Sequence, residues 1–229
     1  MMADPFELAQ KFPAAPSYLI QLFLSDREKE KVGVSDIARR MQVSPSAVTQ
    51  SLSRLQRNEL LERHPARGFA LTASGLDLAR RCIARHYLVE RMLVDTLGVA
   101  WDVADEQAGH LQAGLTEQME KILSQRLGHP QTCPHGNPFP GSEREQEILS
   151  APAITQLRVG DGGLFVRVTE RGEMIPGLLH FCAEHSMRLG DRYVVLRSED
   201  AGVTLEREGE ELLIPSRFAG FVCVSPKRP

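Results

Sequence analysis

Val34–Thr72 reads VSDIARRMQVSPSAVTQSLSRLQRNELLERHPARGFALT. The pattern predicts two short helices joined by a tight turn and followed by a β-hairpin. The first helix spans about Ser35–Met41 with Ile37 and Ala38 inward, and Gln42-Val43-Ser44 makes the turn. Ser44 then caps a second helix, and Pro45 takes its first position, where a missing N–H costs nothing. Val48, Leu52 and Leu55 recur at helical spacing and mark the core face. The opposite face carries Ser46, Ala47, Thr49, Gln50, Ser51 and Arg54, which are small or hydrogen-bonding and include no carboxylate. Short side chains let such a helix approach base edges in a major groove. Leu60-Leu61 starts a strand, Arg63–Gly68 is a basic turn, and Phe69–Thr72 returns: the hairpin is the wing of a winged helix.

Charge agrees with this reading. Between residues 35 and 67 there are six Arg (39, 40, 54, 57, 63, 67) against three acids (Asp36, Glu59, Glu62), in a chain of formal net charge −3. Residues 1–80 hold 11 basic and 9 acidic groups, whereas residues 81–150 hold 6 and 10. Local basic charge is what a phosphate backbone requires. Fold, polar outer face and charge together predict DNA binding over a winged helix used only for protein contacts.

At 229 residues the chain can hold one to three domains. It contains no apolar run of about 18 residues, so no membrane span is expected. The N-terminus, MMADPFELAQKF, lacks a signal-peptide pattern. Four scattered cysteines (82, 133, 182, 223) without a CxxC pair suggest reduced thiols and a cytoplasmic protein.

Outside the winged helix, Ser17–Asp26 reads as an apolar helix packing beneath it. Ala73-Ser74-Gly75 opens a long helix to about Leu97, stopped by Gly98. A further helix is expected from Asp105 to about Leu123, with Leu111, Leu115, Met119 and Ile122 as its stripe. Helices without a core of their own suggest a dimerisation platform. Residues 128–143, GHPQTCPHGNPFPGSE, contain four Pro and three Gly and read as a linker. Beyond them the period changes to two. Five short strands, at 163–169, 191–196, 203–206, 211–214 and 220–224, suggest a small barrel interrupted by a helix at about Pro176–Ser186.

This layout resembles the diphtheria toxin repressor family of metal-dependent regulators. Three stretches carry the resemblance: SPSAVTQSLSRLQRNELL, RHYLVERMLVDTLGVAWDVADEQA and CPHGNPFPG. It implies an α+β chain with a winged helix-turn-helix at 1–74, a helical dimerisation and metal-binding domain at 75–127, a Pro/Gly-rich linker at 128–150 and an SH3-like β-barrel at 151–229. It also implies a cytoplasmic, homodimeric transcriptional regulator of metal-homeostasis genes, acting as a repressor on a double-stranded, pseudo-palindromic operator. Two recognition helices, Pro45 to about Gln56, would enter successive major grooves. Ser44, Ser46 and Gln50 would lie nearest the bases and phosphates, with Ala47 also in the DNA-binding set; Thr49, Ser51, Arg54 and Arg39 would hold phosphates, and the wing's Arg67 would follow the minor groove or the backbone.

In such regulators a divalent ion, Mn²⁺ or Fe²⁺, activates DNA binding. Compared position by position, the ancillary site is mostly retained. His86 and Glu90 stand at i and i+4 on one helical face, and Asp105 takes the third position. Glu173 is the nearest barrel candidate, with His180, Glu184 and His185 as rivals. The primary site is degraded, because its positions fall on Ser17, Gly109, Gln112 and Ala113. Glycine and alanine offer no side-chain ligand, and Ser and Gln supply no charge against a dication. Two modes follow: the ancillary site alone senses metal, or regulation is metal-independent, with constitutive binding or another signal.

An enzyme is not expected, nor a small-molecule substrate. There is no nucleophile elbow and no HExxH, and GDGG at 160–163 lacks the helix and Lys of a phosphate loop. His64, His129 and His135 fall in loops and linker and are assigned no role. A barrel that binds a peptide or protein partner is a third class, compatible with DNA binding.

Overall fold

The computed structural model describes residues 5–65 and 68–225, with the side chains of Pro5 and Phe6 excluded. Arg67, assigned above to the wing, lies outside the described residues. Two compact units emerge: residues 1–89 with 108–128, and residues 90–107 with 129–229.

The first unit opens with α1 (Pro5–Lys11) and α2 (Ala15–Arg27), followed by α3 (Val34–Arg40) and α4 (Pro45–Arg57). Gln42 takes a positive φ of 53° in the turn between α3 and α4. Ser44 caps α4, its hydroxyl accepting from the Ala47 N–H at 3.2 Å. Leu19, Ile37, Val48, Leu52 and Leu55 are buried together in this unit's core, each worth about 1.5–3 kcal/mol of transfer free energy. The wing pairs β1 (Leu61–His64) antiparallel with β2 (Gly68–Leu71). Thr72 then caps α5 (Ala73–Arg91) through the Gly75 N–H at 3.0 Å. Gly75 has to be glycine: a Cβ there would stand 1.9 Å from the Leu60 carbonyl oxygen.

Two helices differ from the sequence expectation. After Arg91 the long helix widens into a π turn, Met92–Thr96, closed by Leu97 N–H to Met92 O at 3.1 Å, and Gly98 ends it with φ +67°. The next helix is not continuous from Asp105 to Leu123. It forms α6 (Ala104–Leu111), tightens into a 3₁₀ turn at Gln112–Gly114, and restarts as α7 (Glu117–Arg126). Gly114 weakens the helix at the break. Thr116 then favours a fresh cap, accepting from the Met119 N–H. Leu111, Met119 and Ile122 are exposed in the single chain.

In the second unit, α8 (Glu145–Leu149) precedes β3 (Gly162–Val168), α9 (Glu170–Glu173) and α10 (Leu178–Glu184). There follow β4 (Arg192–Glu199), β5 (Gly202–Arg207), β6 (Glu210–Pro215), α11 (Ser216–Ala219) and β7 (Val222–Ser225). The strands form one antiparallel sheet in the order β6-β5-β4-β3-β7, consistent with an SH3-like barrel domain. Phe165, Tyr193, Val195, Leu205, Ile214, Phe218 and Val222 fill its core with Leu178 and Cys182 of α10. A bulge between Phe165 and Arg167 breaks the alternation of β3 and buries both Arg167 and Val168.

The stretch read as a linker is largely interior. Residues 133–138 are buried, and Thr132 bridges Pro138. The Pro/Gly count does exclude helix, but it does not make the segment exposed.

Candidate functional site

The CPHG turn is built by its own backbone. The Cys133 N–H donates to Asn137 O at 2.8 Å, and the Gly136 N–H to Cys133 O at 3.0 Å. Gly136 has φ +92°, and a Cβ there would stand 2.0 Å from Val166 O. No other residue lets the turn lie this close to β3, where the Val168 N–H donates to His135 O at 3.0 Å. Trp101 grips the loop from the other side: its indole N–H donates to Pro134 O at 2.9 Å, and its carbonyl lies 2.8 Å from His135 Nε2.

That last bond sets the tautomer. A carbonyl only accepts, so Nε2 carries the hydrogen, and in neutral His135 the Nδ1 atom presents a lone pair. His135 Nδ1 stands 3.5 Å from a Glu173 carboxylate oxygen and 3.7 Å from one of Glu90, and these side chains are almost fully buried. The Nδ1 atom makes no hydrogen bond among the described residues. Cys133 joins them: ligating atoms of Glu90, Cys133 and His135 lie within 4.8 Å of one another.

Asn137 orients this group. Its amide donates to the Glu173 carboxylate and to Val168 O at 2.9 Å, while its oxygen accepts from Arg167 at 3.1 Å. Burial pushes the Glu173 carboxyl well above the usual range, helped by Glu170, Glu90 and Asp105 and opposed by the Asn137 bond. Burial likewise pushes the Cys133 thiol well up, with Glu90 and Glu173 adding to it. Donor atoms of Glu90, Cys133, His135 and Glu173 thus converge in the interior. A cation among them, drawing on imidazole, thiolate and carboxylates, relieves the repulsion, and this mixed donor set suits a borderline dication.

The site absorbs most of the residues read as ancillary ligands. Glu90 and Asp105 have ligating atoms within 4.8 Å of each other, and His86 stands one turn back from Glu90 in the sequence of α5. Glu173 is brought in. Among its rivals, His180 is instead 2.9 Å from Asp102, with 72% of its side chain exposed, and Glu184 and His185 are exposed. Cys133 and His135 were missed. Their available signal was C-P-H-G itself, a Cys and a His two apart on a turn that glycine alone can make.

Ser17, Gly109, Gln112 and Ala113 do come together, lining a cavity of about 60 Å³ in the first unit with Cys82 and Arg85. Among the described residues no carboxylate lines it, and Arg85 pairs with Glu120.

On α4, Ser46, Thr49, Gln50 and Arg54 are exposed, while Ala47 and Ser51 are half-buried. Ser44 and Ser46 hydroxyls lie 2.9 Å apart, and the Thr49 hydroxyl donates to Pro45 O at 3.0 Å. Arg54 stacks over Phe12 at 4.3 Å, and Arg39, 77% exposed, pairs with Asp36 at 3.2 Å.

Comparison with known proteins gives one picture. Residues 13–69 match the model of the iron dependent repressor N-terminal DNA binding domain. Residues 72–141 match that of the iron dependent repressor metal binding and dimerisation domain. The iron-dependent repressor IdeR of Mycobacterium tuberculosis is 33% identical over 174 residues, covering 73% of this chain and 70% of that protein. The diphtheria toxin repressor of Corynebacterium jeikeium is 30% identical over 208 residues, or 82% and 86% of the two chains. The solved structure of a manganese-dependent transcriptional repressor in complex with manganese matches with a TM-score of 0.81 at 27% identity, over 93% of this chain and 100% of the other.

Proposed function

Because this chain belongs to the iron-dependent repressor family, we propose that it is a cytoplasmic, homodimeric repressor of metal-homeostasis genes that reads a pseudo-palindromic operator under the control of Mn²⁺ or Fe²⁺. Gln50, Ser44 and Ser46 lie nearest the bases and phosphates in this reading, with Ala47 beside them; Arg39, Thr49, Ser51 and Arg54 hold phosphates, and Arg67 follows the minor groove or the backbone. Leu111, Met119 and Ile122, exposed in the single chain, supply apolar surface for a partner copy. His86, Glu90, Asp105 and Glu173, joined by Cys133 and His135, hold metal. When bound, the ion would supply the positive charge that offsets the carboxylates Glu90 and Glu173 beside Cys133 and His135. The observation that carries metal control is the buried His135 Nδ1 facing two carboxylates.

The test is operator binding with and without metal. Duplexes selected from a random pool are titrated with chelated protein, then with Mn²⁺ or Fe²⁺ restored. Affinity should rise at least tenfold with the ion. A second reading, metal-independent DNA binding, is favoured by the carboxylate-free cavity at Ser17, Gly109, Gln112 and Ala113; equal affinity in both conditions would establish it. Failure to select any duplex would overturn both.

A further inference from the structure

The second unit holds an open cleft of about 420 Å³ that the metal reading does not use. That volume falls in the range of small-molecule sites. Trp101, Pro134, Met187 and Leu189 give it an apolar lining, and Arg91 and Arg188 stand among them. All six belong to the same compact unit. Arg91 ends α5, Trp101 opens the turn before α6, Pro134 lies in the CPHG turn, and Met187–Leu189 fall between α10 and β4.

Among the described residues no carboxylate lines the cleft. Arg91 is paired with Asp95, four residues on, at 2.9 Å. Arg188 is exposed; its backbone N–H donates to Asp191 at 3.0 Å, and its guanidinium joins no ion pair among the described residues. An arginine keeps its charge at every working pH, so the cleft sets a positive group beside an aromatic ring and aliphatic side chains. We propose that it binds a small organic anion, a carboxylate carried on an apolar body about the size of a phenyl ring. The carboxylate meets the fork of the Arg188 guanidinium. The body covers Trp101, Met187 and Leu189 and takes their apolar surface out of water. An inorganic anion leaves that lining wet, and a neutral body gains nothing from the guanidinium.

The occupant also lies against Trp101 and Pro134, which are bonded to each other at 2.9 Å and hold the turn that carries Cys133 and His135. A ligand touching both partners of that bond favours the closed turn over any opened form. The site is thus an effector site acting on the CPHG turn. No ion enters this argument, so it stands or falls apart from the metal reading.

Trp101 is the one tryptophan of the chain, so its fluorescence reports occupancy directly. Phenylacetate, benzoate and hexanoate are titrated into the ion-free full chain. A saturable change is expected, strongest with phenylacetate, whereas phenylacetamide and inorganic phosphate should each bind at least fivefold more weakly. Arg188→Gln should weaken phenylacetate to the level of the amide. Ala183→Phe, which fills the cleft from an exposed position of α10, should abolish binding. Hydrogen exchange at the Cys133 and Gly136 amides, both bonded within the turn, should slow at least twofold at saturating phenylacetate. No saturable response to any of the three carboxylates at millimolar concentration would overturn the site. Equal affinity for the amide or for phosphate would overturn the ligand class, and binding retained in Ala183→Phe would overturn the location. Unchanged exchange would overturn the action on the turn.

Discussion

The Trp101 carbonyl lies 2.8 Å from His135 Nε2, and this one contact decides which nitrogen of the imidazole can meet a cation. With the hydrogen fixed on Nε2, the lone pair of Nδ1 points at Glu173 and Glu90. The backbone of the Trp101–Val103 turn therefore orients a candidate ligand it does not itself provide.

Asn137 acts on Glu173 in the same indirect way, donating to its carboxylate while it is held by Arg167. Asn137→Ala should weaken Mn²⁺ binding by about 10–100-fold, the usual cost of losing an outer partner. Calorimetric titration checks this. An affinity within threefold of wild type would mean that Glu173 needs no such support.

Gly136→Ala places a methyl group where Val166 O already sits, at a φ of +92°. The turn must open, and a loss of about 2 kcal/mol or more is expected. Urea unfolding of ion-free protein measures it. Wild-type stability would show that the turn relaxes freely.

Two substitutions separate base reading from phosphate holding. Gln50→Ala should cost about 1–3 kcal/mol on the preferred operator and flatten discrimination at one base position. Arg39→Ala should weaken all duplexes alike and reduce the salt slope by about 1. Mismatch series at several salt concentrations distinguish the two. Reversed behaviour would exchange their roles.

The pair His180–Asp102, exposed on the His180 side, has a defined pH signature. The hydrogen bond and charge of Asp102 raise the His180 pKa above its ordinary value. The pair therefore contributes fully below the unfolded-state value of about 6.5. Its contribution is lost as pH rises through the higher folded-state value. Asp102→Asn should return the His180 midpoint, followed by NMR, toward the ordinary value. An unmoved midpoint would remove Asp102 as the cause.

Much of the first unit was legible because its determinants are local. Ser44 and Pro45 announce a helix start through the chemistry of their own backbone. Val48, Leu52 and Leu55 share a face by helical period, and all three are buried. His86 and Glu90 are neighbours by the same arithmetic. The break at Gln112–Gly114 was less legible, because a stripe of apolar residues outweighed the glycine and the threonine cap beyond it.

The candidate metal centre shows where sequence stops. By itself the chain determined a capped recognition helix, a wing, a change of period to strands, and one i, i+4 pair of candidate ligands. Only the tertiary structure decided that Cys133 and His135 face Glu90 and Glu173. That convergence depends on a bulge at Val166, a glycine turn pressed against it, and a tryptophan carbonyl fixing a ring. The helical repeat is written into neighbouring residues, whereas the meeting of a loop, a helix end and a strand is set by packing among segments far apart in the chain.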